Sequence, residues 1–222
     1  MRSLPLLATL LLIPAQASAQ ASAQDSPAWK ALFNGKDLHG WKHLGPGKMV
    51  VEDGLIRTEG GMGLLYYTGE KFGNCVLKIV YKTTAKSSNS GVFIRIAEEP
   101  KDEWYAVHHG YEVQICDSAD EYHGTGAIYS LSKRSALPGK VGEWNTLEIA
   151  LKGDRVLVSV NGQKVNDFDP KGPVPERTKD YEPERGPRPE AGYIGLQNHD
   201  DYDKASYVLF KEVSVRPLKD GE

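Results

Sequence analysis

The 222-residue chain has little of what several protein classes require. It has two cysteines, too few for a disulfide scaffold, so an apolar core must hold the fold. It has no excess of basic residues: 27 Lys and Arg stand against 30 Asp and Glu. A formal charge of −3 argues against a nucleic-acid binder, which needs a basic stripe for phosphates. Helical periodicity is almost absent after residue 30. There is no Gly-x-Ser-x-Gly elbow, no phosphate-binding Gly-Lys-Ser/Thr loop and no dinucleotide fingerprint. No His pair has zinc-finger or His-Glu-x-x-His spacing.

The one long apolar run lies at the start. Leu4 to Ile13 follows a single positive charge at Arg2 and precedes Ala17-Ser18-Ala19 and Ala21-Ser22-Ala23. This pattern predicts a secretory signal peptide over residues 1–23, too short to span a membrane. No cysteine lies near the cleavage region, so the exported chain, periplasmic or secreted, is expected not to be a lipoprotein. Residues 24–222 are expected to form one domain. Export would place Cys75 and Cys116 where a disulfide can form, but two buried thiols fit the sequence equally well.

What the chain does have is turn formers and short alternating runs. Its 23 Gly and 13 Pro punctuate some ten strand-like segments. Leu147 to Val160 predicts a hairpin turning at Gly153-Asp154, and Asn161-Gly162 predicts a type I′ turn. So many short strands in one domain predict an all-β sandwich or jelly roll of two antiparallel sheets. Two long loops interrupt the pattern. Glu98 to Gly110 is polar and carries Trp104, Tyr105, His108 and His109; Asp167 to Pro189 carries six prolines. Loops of this length are often functional.

Alternation then sorts side chains by face. In Tyr111–Asp117, Glu112, Gln114 and Cys116 oppose Tyr111, Val113 and Ile115. In Ser90–Ile96, Phe93 and Arg95 oppose Val92, Ile94 and Ile96. In Tyr193–His199, Tyr193, Gln197 and His199 oppose Ile194 and Leu196. The solvated face of any antiparallel sheet is polar. These faces, however, carry planar polar and aromatic groups of the kind that bind sugars: Glu112, Gln114, Arg95, Tyr193, Gln197 and His199.

Eight blocks occur in a telling order: Phe33-Asn-Gly-Lys-Asp-Leu-His-Gly-Trp41, Val51-Glu-Asp-Gly54, Asn89-Ser-Gly-Val-Phe-Ile-Arg95, Tyr111-Glu-Val-Gln-Ile-Cys-Asp117, Thr125-Gly-Ala-Ile-Tyr129, Gly142-Glu-Trp-Asn-Thr-Leu-Glu-Ile149, Val160-Asn-Gly162 and Gly195-Leu-Gln-Asn-His199. Together they resemble the 3-keto-disaccharide hydrolase domain family over about residues 30 to 217. The resemblance implies a concanavalin-like jelly roll related to laminarinase-type glycosidases. It also implies action on disaccharides or glycosides oxidised at C3. Laminarinase-type enzymes carry Glu-x-Asp-x-x-Glu on one strand. Here the matching positions are Glu112, Gln114 and Asp117, so the carboxylate pair of a retaining mechanism is broken.

That departure favours elimination. A 3-keto sugar has an acidic C2 proton; once it is removed, the C1 substituent leaves, and water can add back. The step needs a base, an acid and an enolate stabiliser. Glu112 and His199 are the expected base and acid, in either order, with Arg95 on the enolate or a hydroxyl. Gln114, Gln197, Tyr193 and Asp117 are expected to bind the sugar, and Trp104 to contact it from the polar loop. The rival expectation is a non-catalytic, lectin-like carbohydrate-binding module. The residues name no definite cofactor, and a divalent cation, Ca²⁺ or a catalytic metal held by His199 or a neighbouring His, could stabilise an enediolate. The acidic turn after His199, with Asp200, Asp201 and Asp203, leaves room for a divalent cation.

Overall fold

The computed structural model describes residues 28–199 and 205–218. The expected signal peptide and the Asp200–Asp203 turn lie outside the described residues. The rest is a sandwich of two antiparallel sheets.

The larger sheet runs β11 (Gln163–Phe168), β10 (Arg155–Val160), β9 (Asn145–Lys152), β6 (Cys75–Thr83), β13 (Val208–Pro217), β4 (Leu55–Glu59) and β3 (Lys48–Glu52). A two-residue β1 (Lys30–Ala31) adds to β13. The smaller sheet runs β2 (Trp41–Leu44), β5 (Gly63–Tyr67), β12 (Tyr193–Asn198), β7 (Asn89–Ile96) and β8 (Tyr111–Cys116). One face of each sheet is apolar for the reason the alternation gives. Leu77, Ile79 and Tyr81 of β6 meet Val92, Val113, Ile115, Ile194 and Leu196 of the smaller sheet in the main core. Burial of this apolar surface is the dominant stabilising term.

Both expected turns are present. Gly153-Asp154 joins β9 to β10, and Asn161 and Gly162 both take positive φ, 50° and 78°, as a type I′ turn requires. Three elements were not anticipated: β1, β2 and β11. Conversely, in the Thr125–Tyr129 block only Ile128 takes β-bridge pairing, and no strand forms there. Ile128 pairs with Val113 and Ser132, and the segment covers the outer edge of β8. Within the polar loop, Tyr105–His109 forms a short helix, α1. His108 and His109 are therefore on one helical turn.

Cys75 and Cys116 are both buried and free. Cys75 belongs to the main core, whereas Cys116 is on the outer face of β8 and lines the cavity described below.

Candidate active site

The outer face of the smaller sheet divides in two. At one end Leu64, Tyr66, Phe93 and Ile96 form a second apolar cluster, roofed by Ala106 and Val107 of α1. At the other end the strands present polar side chains, and the sheet floors a cavity of about 710 Å³. That volume suits a one- or two-ring ligand.

Glu112 and Gln114 enter the cavity from β8, Gln197 from β12, and His199 from just beyond β12. Trp104 closes one side. It is 42% exposed and stacks on His108 at 6.4 Å. The proline-rich loop contributes Thr178, Tyr181 and Glu182 to the lining. These five sequence-selected residues are thus brought together.

Three others are not. Arg95 takes a positive φ of 55° at a bulge, where the register between β12 and β7 shifts. The bulge breaks the alternation, so Ile96 returns to the face of Phe93 and Arg95 turns away from it. The Arg95 guanidinium is buried and donates to the carbonyls of Pro189, at 2.9 Å, and Gly153. It ties the proline-rich loop to the β9–β10 hairpin. Tyr193 is on the expected face but at the apolar end. It packs edge-on to Tyr66 at 6.0 Å, with the Lys71 ammonium 5.2 Å from its ring centre. Asp117 lies past the end of β8 and accepts a 2.5 Å hydrogen bond from the Thr125 hydroxyl, which in turn accepts from the Cys116 amide. It is a strand-end clamp and does not line the cavity.

The electrostatics centre on Glu112. Its side chain is 5% exposed, and burial pushes its pKa from 4.5 up to about 8. The Gln197 amide offsets only part of that penalty. Glu112 Oε1, Gln114 Oε1 and Gln197 Oε1 are all buried without a hydrogen-bond partner. Three orphaned acceptors on one floor are costly, and native proteins rarely keep them without a use. Gln114 is steadied by a 3.4 Å hydrogen bond to Asn89.

A second carboxylate on the wall has the opposite environment. Glu182 is also desolvated, but hydrogen bonds from the Thr178 amide, Arg185 and the Thr178 hydroxyl outweigh burial and lower its pKa. Its 2.8 Å ion pair with Arg185 occupies it structurally.

Two lining residues were missed by motif reading. Tyr129 donates its backbone N–H to the Glu112 carbonyl at 2.9 Å, and burial, with the nearby Glu112 charge, raises its phenol pKa. It therefore stays a hydroxyl donor. His123 packs edge-on to Tyr129 at 5.1 Å and places Nδ1 2.9 Å from both oxygens of Asp120. Tyr129 closes the Thr125–Tyr129 block, which was a usable signal; His123 stands in no block and had none. Among the described residues no group of three or more His, Cys, Asp or Glu is arranged to hold a metal ion.

The family model for the 3-keto-alpha-glucoside-1,2-lyase-like domain matches residues 28–216. The chain belongs to that family. A comparison with curated protein sequences gives no match. Among solved structures, the chain is similar to a candidate glycosyl hydrolase from Parabacteroides distasonis, with 26% identity, a TM-score of 0.68, and coverage of 86% of this chain and 94% of that one. The same sandwich recurs in a galectin-like protein from Bacillus subtilis (11% identity, TM-score 0.58, 85% and 94% coverage). It recurs again in a carbohydrate-binding module from the same organism (13% identity, TM-score 0.50, 80% and 95% coverage). These last two establish the fold alone. They agree with the jelly roll expected from the strand pattern.

Proposed function

We propose that this member of the 3-keto-alpha-glucoside-1,2-lyase-like family is an exported enzyme that cleaves 3-keto-disaccharides or 3-keto-glycosides by removing the C2 proton. β-Elimination of the C1 substituent follows, and hydration of the product gives net hydrolysis. The carrying observation is Glu112: a buried carboxyl with a pKa near 8, beside two orphaned amide oxygens, at the bottom of a sugar-sized cavity.

A base with a pKa near the working pH suits abstraction of a proton next to a ketone. When Glu112 is ionised it takes the C2 proton. The electrons left on C2 delocalise onto the C3 oxygen, and the Tyr129 hydroxyl is the available donor to that enolate. Gln114 and Gln197 have carbonyl oxygens ready to accept hydroxyl protons of the ring. Trp104 offers an apolar surface for a sugar face. His199 lines the cavity and stays in the reading as a contact of the sugar.

Export rests on the leader pattern of residues 1–23, with a periplasmic or secreted location. No helix among the described residues is long and apolar enough to cross a membrane.

The lectin-like alternative is favoured by the exposed Trp104 and by the likeness to carbohydrate-binding folds. It gives no account of a buried carboxyl with a raised pKa. The deciding experiment is incubation with a 3-keto-disaccharide and with the parent unoxidised sugar. Release of the leaving sugar from the first only supports the enzyme. Binding of both without turnover supports the module.

A further inference from the structure

Beside the sugar-sized cavity lies a second one of about 540 Å³. The two share His123, Thr178 and Glu182 as a common wall. His123 is thus a titratable side chain that borders both spaces. His199 borders only the first.

The ring of His123 is held in a defined orientation. Asp120 Oδ1 accepts from the backbone amides of Tyr122 at 2.8 Å and His123 at 3.2 Å, which fixes the carboxylate. That carboxylate in turn takes the His123 Nδ1. Only Nε2 is left to act elsewhere. A carboxylate that holds one imidazole nitrogen and leaves the other to move a proton is a recurring arrangement in acid–base catalysis.

We propose that His123, oriented by Asp120, protonates the departing C1 oxygen and that the second cavity holds the leaving group. The assignment rests on the elimination chemistry proposed above. The bond that breaks joins the keto sugar to its leaving group, so it must lie where the two spaces meet. As Glu112 takes the C2 proton, the C2–H electron pair forms the enolate. That pair then forms the C1=C2 bond and restores the C3 carbonyl. The C1–O bond breaks with its electrons on the leaving oxygen, which takes the Nε2 proton of the His123 imidazolium. His123 is left neutral, its Nδ1–H still donated to Asp120. In the hydration half, neutral His123 takes a proton from the water that attacks C1, and Glu112 returns its proton to C2.

The walls of the second cavity also define a substrate class. Asp120, Glu121, Glu176 and Ser130 line the cavity with oxygen atoms; Glu121 also pairs with Lys133 at 3.4 Å, and Ser130 accepts from Arg185 at 3.4 Å. These oxygen atoms suit a neutral leaving group rich in hydroxyl donors, such as a second sugar, and repel an anionic one such as a uronate.

The test pairs two substrates with one 3-keto-glucosyl group. A nitrophenyl leaving group departs without a proton; a sugar alkoxide does not. His123→Ala and His123→Gln should lose about 10²- to 10⁴-fold in kcat on the 3-keto-disaccharide. On the nitrophenyl substrate they should stay within about tenfold of the wild type. Asp120→Asn should show the same split, smaller in size. Thermal melting checks that each variant is folded. Equal losses on both substrates, or no loss on the disaccharide, overturn the assignment while leaving the elimination reading intact. A wild type that cleaves neither substrate sinks both. For the second cavity, a uronate leaving group should lower kcat/KM by about tenfold or more relative to a neutral sugar. Glu121→Gln combined with Glu176→Gln should narrow that gap. Equal turnover of neutral and uronate leaving groups contradicts the placement.

Discussion

Glu112 occupies the space that a side chain on Gly91 would fill: a Cβ there would come within 2.2 Å of Glu112 Oε1 and 2.7 Å of Cγ. Gly91 is on β7, next to β8, and its register partner is Gln114. The strand pair thus makes room for a buried carboxyl at the expense of a side chain.

Gly91→Ala therefore displaces Glu112 while the backbone conformation remains available to alanine. We expect kcat for a 3-keto-disaccharide to fall by about 10- to 100-fold, for a repacking cost of about 1–3 kcal/mol. Steady-state kinetics with a melting curve checks this. Unchanged kcat in a folded variant would mean that the position of Glu112 does not matter.

The pH dependence follows from the raised pKa. Glu112 acts as base when ionised, so kcat/KM should rise with pH and level off above about 8. Glu112→Gln should remove this limb along with most of the activity. Stability carries the opposite slope. The folded pKa lies above the unfolded one, so the native state binds this proton more tightly. The stabilisation is complete below about 4.5 and is lost as pH rises to about 8. Chemical denaturation across that window should show Glu112→Gln gaining on the wild type toward high pH.

Arg95 should behave as a structural residue. Arg95→Met leaves the carbonyls of Pro189 and Gly153 without their donor, at a cost of about 2–4 kcal/mol. A clearly lowered melting temperature with KM near the wild-type value is expected. A folded, fully stable variant with abolished turnover would restore the role expected from sequence.

The two thiols should differ in access. Burial pushes the Cys75 pKa up to about 12 and seats it in the main core, so it should resist alkylation until the protein unfolds. Cys116 lines the cavity and should be the site modified first, with protection by bound sugar. Reductant should leave the melting temperature unchanged, because both cysteines are free.

The fold was largely legible because alternation and turn residues act locally. Asn161-Gly162 and Gly153-Asp154 specify their turns within two residues. The face shared by Glu112 and Gln114 follows from period two alone, and so does that of Gln197. Where the reading failed, a break in period was responsible. Arg95 was misplaced because a bulge is set by pairing between distant strands, and nothing in Ser90–Ile96 announces it. Tyr193 was assigned the correct face but the wrong end, because the roof over that end comes from α1, more than eighty residues earlier in the sequence. His123 and Glu182 reach the cavity from loops, whose course is fixed by tertiary packing. The proline-rich segment could be marked as a border of the site, but not which of its side chains would face inward.

Removal of the C2 proton is the step on which the proposed elimination depends. The most direct test compares turnover of a 3-keto-disaccharide carrying hydrogen or deuterium at C2. We expect a primary isotope effect on kcat/KM for the wild type, with the deuterated substrate cleaved more slowly. Equal rates for the two substrates under conditions where chemistry limits turnover, with the label retained in the product, would show direct displacement at C1 and contradict the elimination mechanism.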